Sequence, residues 1–91
     1  MIEPYQTKTL ARLKKAKGQI EGIMRMIEDG KYCVDISMQV LALEGSLKAV
    51  SRLVLESHLN TCGIKELAAQ DSEKKQKFIK DILKIVEFSN R

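Results

Sequence analysis

Tryptophan is absent, proline occurs once, at Pro4, and aromatic residues make up only 4% of the 91-residue chain. So few aromatics and breakers disfavour a sheet-rich fold and leave no platform for stacking single-stranded nucleic acid; they favour an all-α chain. Long apolar runs are also missing. No stretch approaches the roughly 20 residues that span a bilayer, and residues 1–8 lack the apolar core of a secretion signal, so the expectation is a cytoplasmic protein with no membrane partner. Cysteine is limited to Cys33 and Cys62, and histidine to His58. In a reducing compartment two cysteines read as free ligands or redox groups rather than as a structural disulfide. There is no Cys-x-x-Cys, no phosphate-binding glycine loop and no nucleophile elbow, so the chain is not expected to be an enzyme.

The stretch from Tyr32 to Cys62 is what the remainder is organised around. Ile36, Val40, Leu43, Leu47, Val50 and Val54 alternate at steps of four and three, the seam of a long packed helix. Cys33 precedes this stripe by three residues, and His58 and Cys62 extend it by four and eight. His58 and Cys62, four apart, share one helical face. Cys33 lies 25 positions before His58, roughly 37 Å along a straight helix at about 1.5 Å per residue. Metal–ligand bonds are about 2.0–2.3 Å long, so one helix cannot gather all three. Two antiparallel copies can, with the two-fold axis crossing near Gly45 and Ser46, where small side chains permit close approach. The expectation is a homodimer with Cys33 of one chain beside His58 and Cys62 of the other.

Ninety-one residues make one domain, 1–91, with residues 1–6 a flexible arm. Thr7 or Thr9 is a candidate cap for a first helix whose stripe runs through Leu10, Leu13, Ala16, Ile20, Ile23 or Met24, and Ile27, ending near residue 28 with Gly30 as a left-handed stop. Gly18 and Gly22 within it suggest close approach to another helix. A short helix is possible over 64–70. Asp71-Ser72 starts a last helix through about residue 88, with Phe78, Ile79, Ile82, Leu83, Ile85 and Val86 on its apolar side. The net charge of +4 is uneven. Lys8, Arg12, Lys14, Lys15 and Lys17 precede Gly18 with Glu3 the only acid, whereas the remaining 11 basic and 11 acidic residues balance. A local basic patch points to a polyanion, against the plainer reading of a solvated helix face.

Two thiolates and an imidazole form a soft set of low coordination number. It suits copper(I), or zinc if a fourth ligand exists, and binding would release protons. Thiol chemistry at the same residues stays open from spacing alone. Asp35, Glu56 and Asp81 are spare carboxylates.

Three segments now carry a resemblance. Arg12–Gln19 reads R-L-x-x-x-x-G-Q, Tyr32–Ile36 reads Y-C-x-D-I, and His58–Cys62 reads H-L-x-x-C. The chain resembles the copper-sensitive operon repressor family, strongly over residues 10–64 and loosely in the last helix. The resemblance implies an all-α, three-helix protomer forming an antiparallel four-helix-bundle dimer that pairs into a homotetramer. It implies a transcriptional repressor that holds double-stranded operator DNA when metal-free and releases it on binding copper(I). It carries the ligand roles to Cys33, His58 and Cys62, and coupling roles beside the metal to Tyr32 and to Asp81, one methylene shorter than the family's Glu. It carries DNA contacts to Arg12 and Arg52, with Lys14, Lys15 and Lys48 added from charge alone. Nickel sensors that resemble this chain use an N-terminal His and a His at the last ligand position, where this chain has Ile-Glu-Pro at 2–4 and Cys62. Persulfide sensors lack the His, and formaldehyde sensors lack the second Cys. A nickel- or persulfide-responsive repressor, or a metal-storage protein without DNA, are the alternatives; zinc or nickel are the other metals to consider.

Overall fold

The computed structural model describes residues 1–63, 65, 68 and 71–89, with Cys62 as backbone only. The thiol of Cys62 and most of the short helix expected over 64–70 lie outside the described residues. Three α-helices are delimited among the described residues, α1 (Tyr5–Glu28), α2 (Cys33–His58) and α3 (Ser72–Ser89), and Lys65 and Ala68 are also helical. A π-helical turn, Leu59–Gly63, follows α2 directly. No strand occurs among the described residues, which form the all-α chain that the composition favours, with the three main helices that the resemblance implies. No helix among the described residues is long and apolar enough to cross a membrane. The chain divides into two compact units, Met1–Val54 and Leu55–Arg91.

In the first unit, α1 starts at Tyr5 rather than at the threonines. The Glu3 carboxylate accepts the Thr7 amide at 3.4 Å and the Thr7 hydroxyl at 2.6 Å. The Ile2 and Pro4 carbonyls accept the Gln6 and Lys8 amides. An acidic side chain one residue before the cap therefore satisfies the Thr7 amide, and the helix begins before Thr7 and Thr9, the expected caps. At the other end the Lys31 amide reaches the Met26 carbonyl at 2.9 Å, and the Gly30 amide reaches Ile27 at 3.1 Å. Gly30 has φ +66°. This is the Schellman arrangement, in which glycine takes the left-handed position at no steric cost. It reverses the chain into α2, whose first turn carries Asp35 toward the positive end of the helix dipole.

The two helices pack on their smaller side chains. Thr9 and Ala16 are buried on α1, and Gln19, Ile23 and Met26 are half-buried. On the part of α2 within this unit the half-buried positions are Ile36, Leu43, Ser46, Ala49, Val50 and Leu53. The stripe expected to form the core of α1 is therefore displaced. Leu10, Leu13, Ile20, Met24 and Ile27 are all exposed, Ile27 to 60%. The apolar band is wider than one helix contact can cover, and Thr9 and Ala16 admit a closer helix than Leu or Ile would. The α2 seam divides in the same way. Ile36, Leu43 and Val50 turn inward, whereas Val40, Leu47 and Val54 stay exposed at 46%, 43% and 42%. Neither Gly18 nor Gly45 faces a neighbouring atom that a Cβ would meet, so within the chain neither marks a close approach.

In the second unit α2 stops at His58, four residues short of the straight run to Cys62 expected from periodicity. Asn60 Nδ2 donates to the Glu56 carbonyl at 2.8 Å, and Thr61 Oγ1 donates to that of Ser57 at 2.8 Å. These are the carbonyls that the Asn60 and Thr61 amides would take in a continuing α-helix. Side-chain donors competing for them account for the wider turn. The start of α3 follows its sequence signal: Asp71 Oδ1 accepts the Glu73 amide at 2.9 Å, a side-chain N-cap. Phe78 and Ser57 are buried, while Ile79, Leu83, Ile85 and Val86 of the expected apolar side remain exposed.

Candidate metal centre and basic face

Cys33 is the first residue of α2, and its thiol is free and exposed. Tyr32, just before it, gives its carbonyl to the Ile36 amide at 3.2 Å, and the residue is 68% exposed. The helix start thus fixes the Tyr32 backbone and leaves the phenol outward. His58 is the last residue of α2 and is half-buried. Its ring lies against Phe78 of α3, with centroids 5.6 Å apart and planes inclined by 36°. Neither imidazole nitrogen is engaged in a hydrogen bond among the described residues. Cys62 lies four residues on, within the π-helical turn. Asp81 is exposed on α3, one helical turn after Phe78.

Cys33 and His58 are the two ends of one helix, so α2 itself does not gather the three candidate ligands. Among the described residues no three of His, Cys, Asp and Glu cluster tightly enough to hold a metal ion. Nor is Asp81, the acidic neighbour expected on the last helix, hydrogen-bonded to His58 among the described residues. The group packed on the imidazole is Phe78, which sequence reasoning had placed only as apolar surface. The pair lies 20 positions apart in the chain, and no periodicity reports such a contact.

The basic candidates sort more clearly. Lys8, Ala11, Arg12 and Lys15 line an open groove whose other wall is Leu53 of α2. Three cations of α1 therefore share a helical face, against an apolar residue that follows Arg52 directly. Lys8 joins Arg12 and Lys15 there, whereas Lys14 does not line the groove. Arg52 and Lys48, four apart on α2, are both exposed. Lys48 is paired with Glu44 at 3.7 Å, with both side chains about half exposed (50% and 54%), an interaction worth at most about 1 kcal/mol. Arg12, Lys14, Lys15 and Arg52 take part in no ion pair among the described residues. The face can thus attract phosphate oxygens without first breaking strong internal pairs.

Residues 5–87 match the family model of the metal-sensitive transcriptional repressors. The copper-sensing transcriptional repressor CsoR of Mycobacterium ulcerans is 47% identical over 53 residues, 58% of this chain and 45% of that protein. The matched part thus spans about half the length of that relative. The crystal structure of the copper-sensing repressor CsoR with Cu(I) from Geobacillus thermodenitrificans superposes with a TM-score of 0.79 at 30% identity, covering 98% of this chain and 91% of the other. The nickel-responsive transcriptional regulator InrS superposes with a TM-score of 0.74 at 31% identity, covering 86% and 88%.

Proposed function

The chain belongs to the metal-sensitive transcriptional repressor family, and on that premise we propose that it is a cytoplasmic, copper(I)-responsive repressor that binds operator DNA when metal-free and releases it when metal binds. The observation that carries the reading is the donor set. A free, exposed thiol at Cys33 opens α2, a half-buried imidazole whose nitrogens make no hydrogen bond among the described residues closes it at His58, and Cys62 follows four residues later. Two sulfurs and one nitrogen suit copper(I) better than harder ions. Copper-sensing relatives support the same metal. Nickel, to which the InrS likeness points, is less well served, because residues 2–4 are Ile-Glu-Pro and the last donor is Cys62 rather than His.

The ligands meet between chains. Val40, Leu47 and Val54 form an exposed apolar stripe at steps of seven. Exposed apolar bands of this kind mark contacts with other chains. A second α2 crossing antiparallel at Leu47 sets Val40 against the second copy's Val54, and sets Cys33 level with its position 61, next to Cys62 and within a turn of His58. The same crossing makes the site twice. The exposed α1 row of Leu10, Leu13, Ile20, Met24 and Ile27 leaves a further face for a homotetramer. What copper(I) supplies when bound is a short, soft linkage between the Cys33 end of one chain and the His58–Cys62 end of another. Both thiols lose their protons to serve as donors, so affinity weakens as the pH is lowered. Tyr32 and Asp81 stand beside these ends as candidates for orienting the donors. Arg12 and Lys15 in the groove, with Lys14, Lys48 and Arg52 nearby in sequence, contact duplex phosphates. Shifting the two helix ends shifts these basic faces, a coupling of typically about 1–3 kcal/mol.

Titrating copper(I) into the protein–operator complex tests the reading. Wild type releases DNA and His58→Ala does not; equal release by both contradicts it. The exposed Cys33 thiol also favours a second reading, a persulfide-responsive thiol switch. In that case a persulfide donor releases DNA from wild type and His58→Ala alike, and copper(I) releases neither.

A further inference from the structure

We infer that Phe78 is the positioning residue for the His58 imidazole, and that through it α3 sets the orientation of the ring at the end of α2. Three observations carry this. The rings are 5.6 Å apart and inclined by 36°, within the range of favourable aromatic packing. Phe78 is 4% exposed, so its ring cannot swing aside without displacing α3. Finally, no hydrogen bond to either imidazole nitrogen occurs among the described residues, so ring packing is the contact the imidazole makes there. A hydrogen-bonding neighbour would hold the ring by occupying one nitrogen, whereas a packed phenyl ring holds it and leaves both available to a metal.

The arrangement gives α3 a defined part in the site. Histidine ligands in proteins are ordinarily oriented by a group outside the coordination sphere, and losing such a group lowers metal affinity on the order of 10- to 100-fold. Asp81 lies one turn along α3 from Phe78 but is exposed and unbonded to His58. Packing by Phe78 therefore holds the ring before any acidic neighbour is engaged. Reorientation of the imidazole has to move Phe78, and with it the helix that carries the exposed Lys74, Lys77, Lys80 and Lys84.

The inference rests in part on the copper reading, and its test separates the two. His58 is the only histidine of the 91 residues, so the metal-free 91-residue chain has one set of imidazole signals. In wild type those protons show a nuclear Overhauser contact to the ring protons of Phe78 and a ring-current shift. Phe78→Leu keeps an apolar side chain and removes the ring current, moving the imidazole signals toward those of an unpacked histidine while helical content is retained. In copper(I) competition Phe78→Leu weakens binding on the order of tenfold, and the same substitution in a His58→Ala background causes no further loss. No Overhauser contact in wild type overturns the inference, and that measurement stands even if Phe78→Leu does not fold. An equal loss of affinity in both backgrounds also overturns it, reducing Phe78 to a core residue. Absence of copper(I) binding by wild type removes the proposed metal but leaves the metal-free ring contact to be judged on its own.

Discussion

At Asp71 a single carboxylate oxygen decides where α3 begins. Its acceptance of the Glu73 amide satisfies a donor that the helix cannot satisfy itself, and Asp71→Ala is expected to lower stability by about 1 kcal/mol. Asp71→Asn, which keeps an acceptor oxygen, should lose less; denaturant unfolding at one fixed protein concentration distinguishes them, and equal losses would deny the cap. Local chemistry of this kind was legible in the sequence. Asp71 and Gly30 each act through neighbours within a few residues, and the structure places α3 and the end of α1 where those residues indicated. The π-helical turn was not legible in the same way. Asn60 and Thr61 are compatible with a helix or a turn until their side chains take the Glu56 and Ser57 carbonyls. The approach of Phe78 to His58 depends on how the chain reverses between two helices, which no spacing records.

At the scale of the helix the question is which face is turned where. Periodicity identified α1 and α2 as amphipathic but overstated how much of each apolar band a single hairpin buries. The contact falls on Thr9 and Ala16, and the Leu and Ile rows were left over, because a band wide enough for two neighbours does not say which neighbour takes which part. The basic patch of α1 followed from charge counting, and the groove beside Leu53 narrows it to Lys8, Arg12 and Lys15, leaving out Lys14 and Lys17. Each cation that meets a duplex phosphate releases counterions, so the salt dependence of binding counts such contacts. Arg12→Ala is expected to reduce the slope of log affinity against log salt by about 1. Lys48→Ala should reduce it less, since Glu44 already offsets that charge at 3.7 Å. A slope unchanged by Arg12→Ala would remove the groove from the DNA contact.

At the scale of the whole molecule the protomer reads as part of something larger. Its exposed rows on α1 and α2 and candidate ligands at opposite ends of one helix are both accommodated by the proposed second copy running the other way. Mixing two crippled chains tests this most directly. Cys33→Ala retains His58 and Cys62; His58→Ala/Cys62→Ala retains Cys33. Unfolded and refolded alone, neither should hold copper(I) against a strong competitor. Refolded together, the account predicts that tight binding returns at one site per mixed dimer, because the intact halves then lie on different chains. A mixture that binds no better than its two components would contradict the shared site, and with it the copper-sensing account.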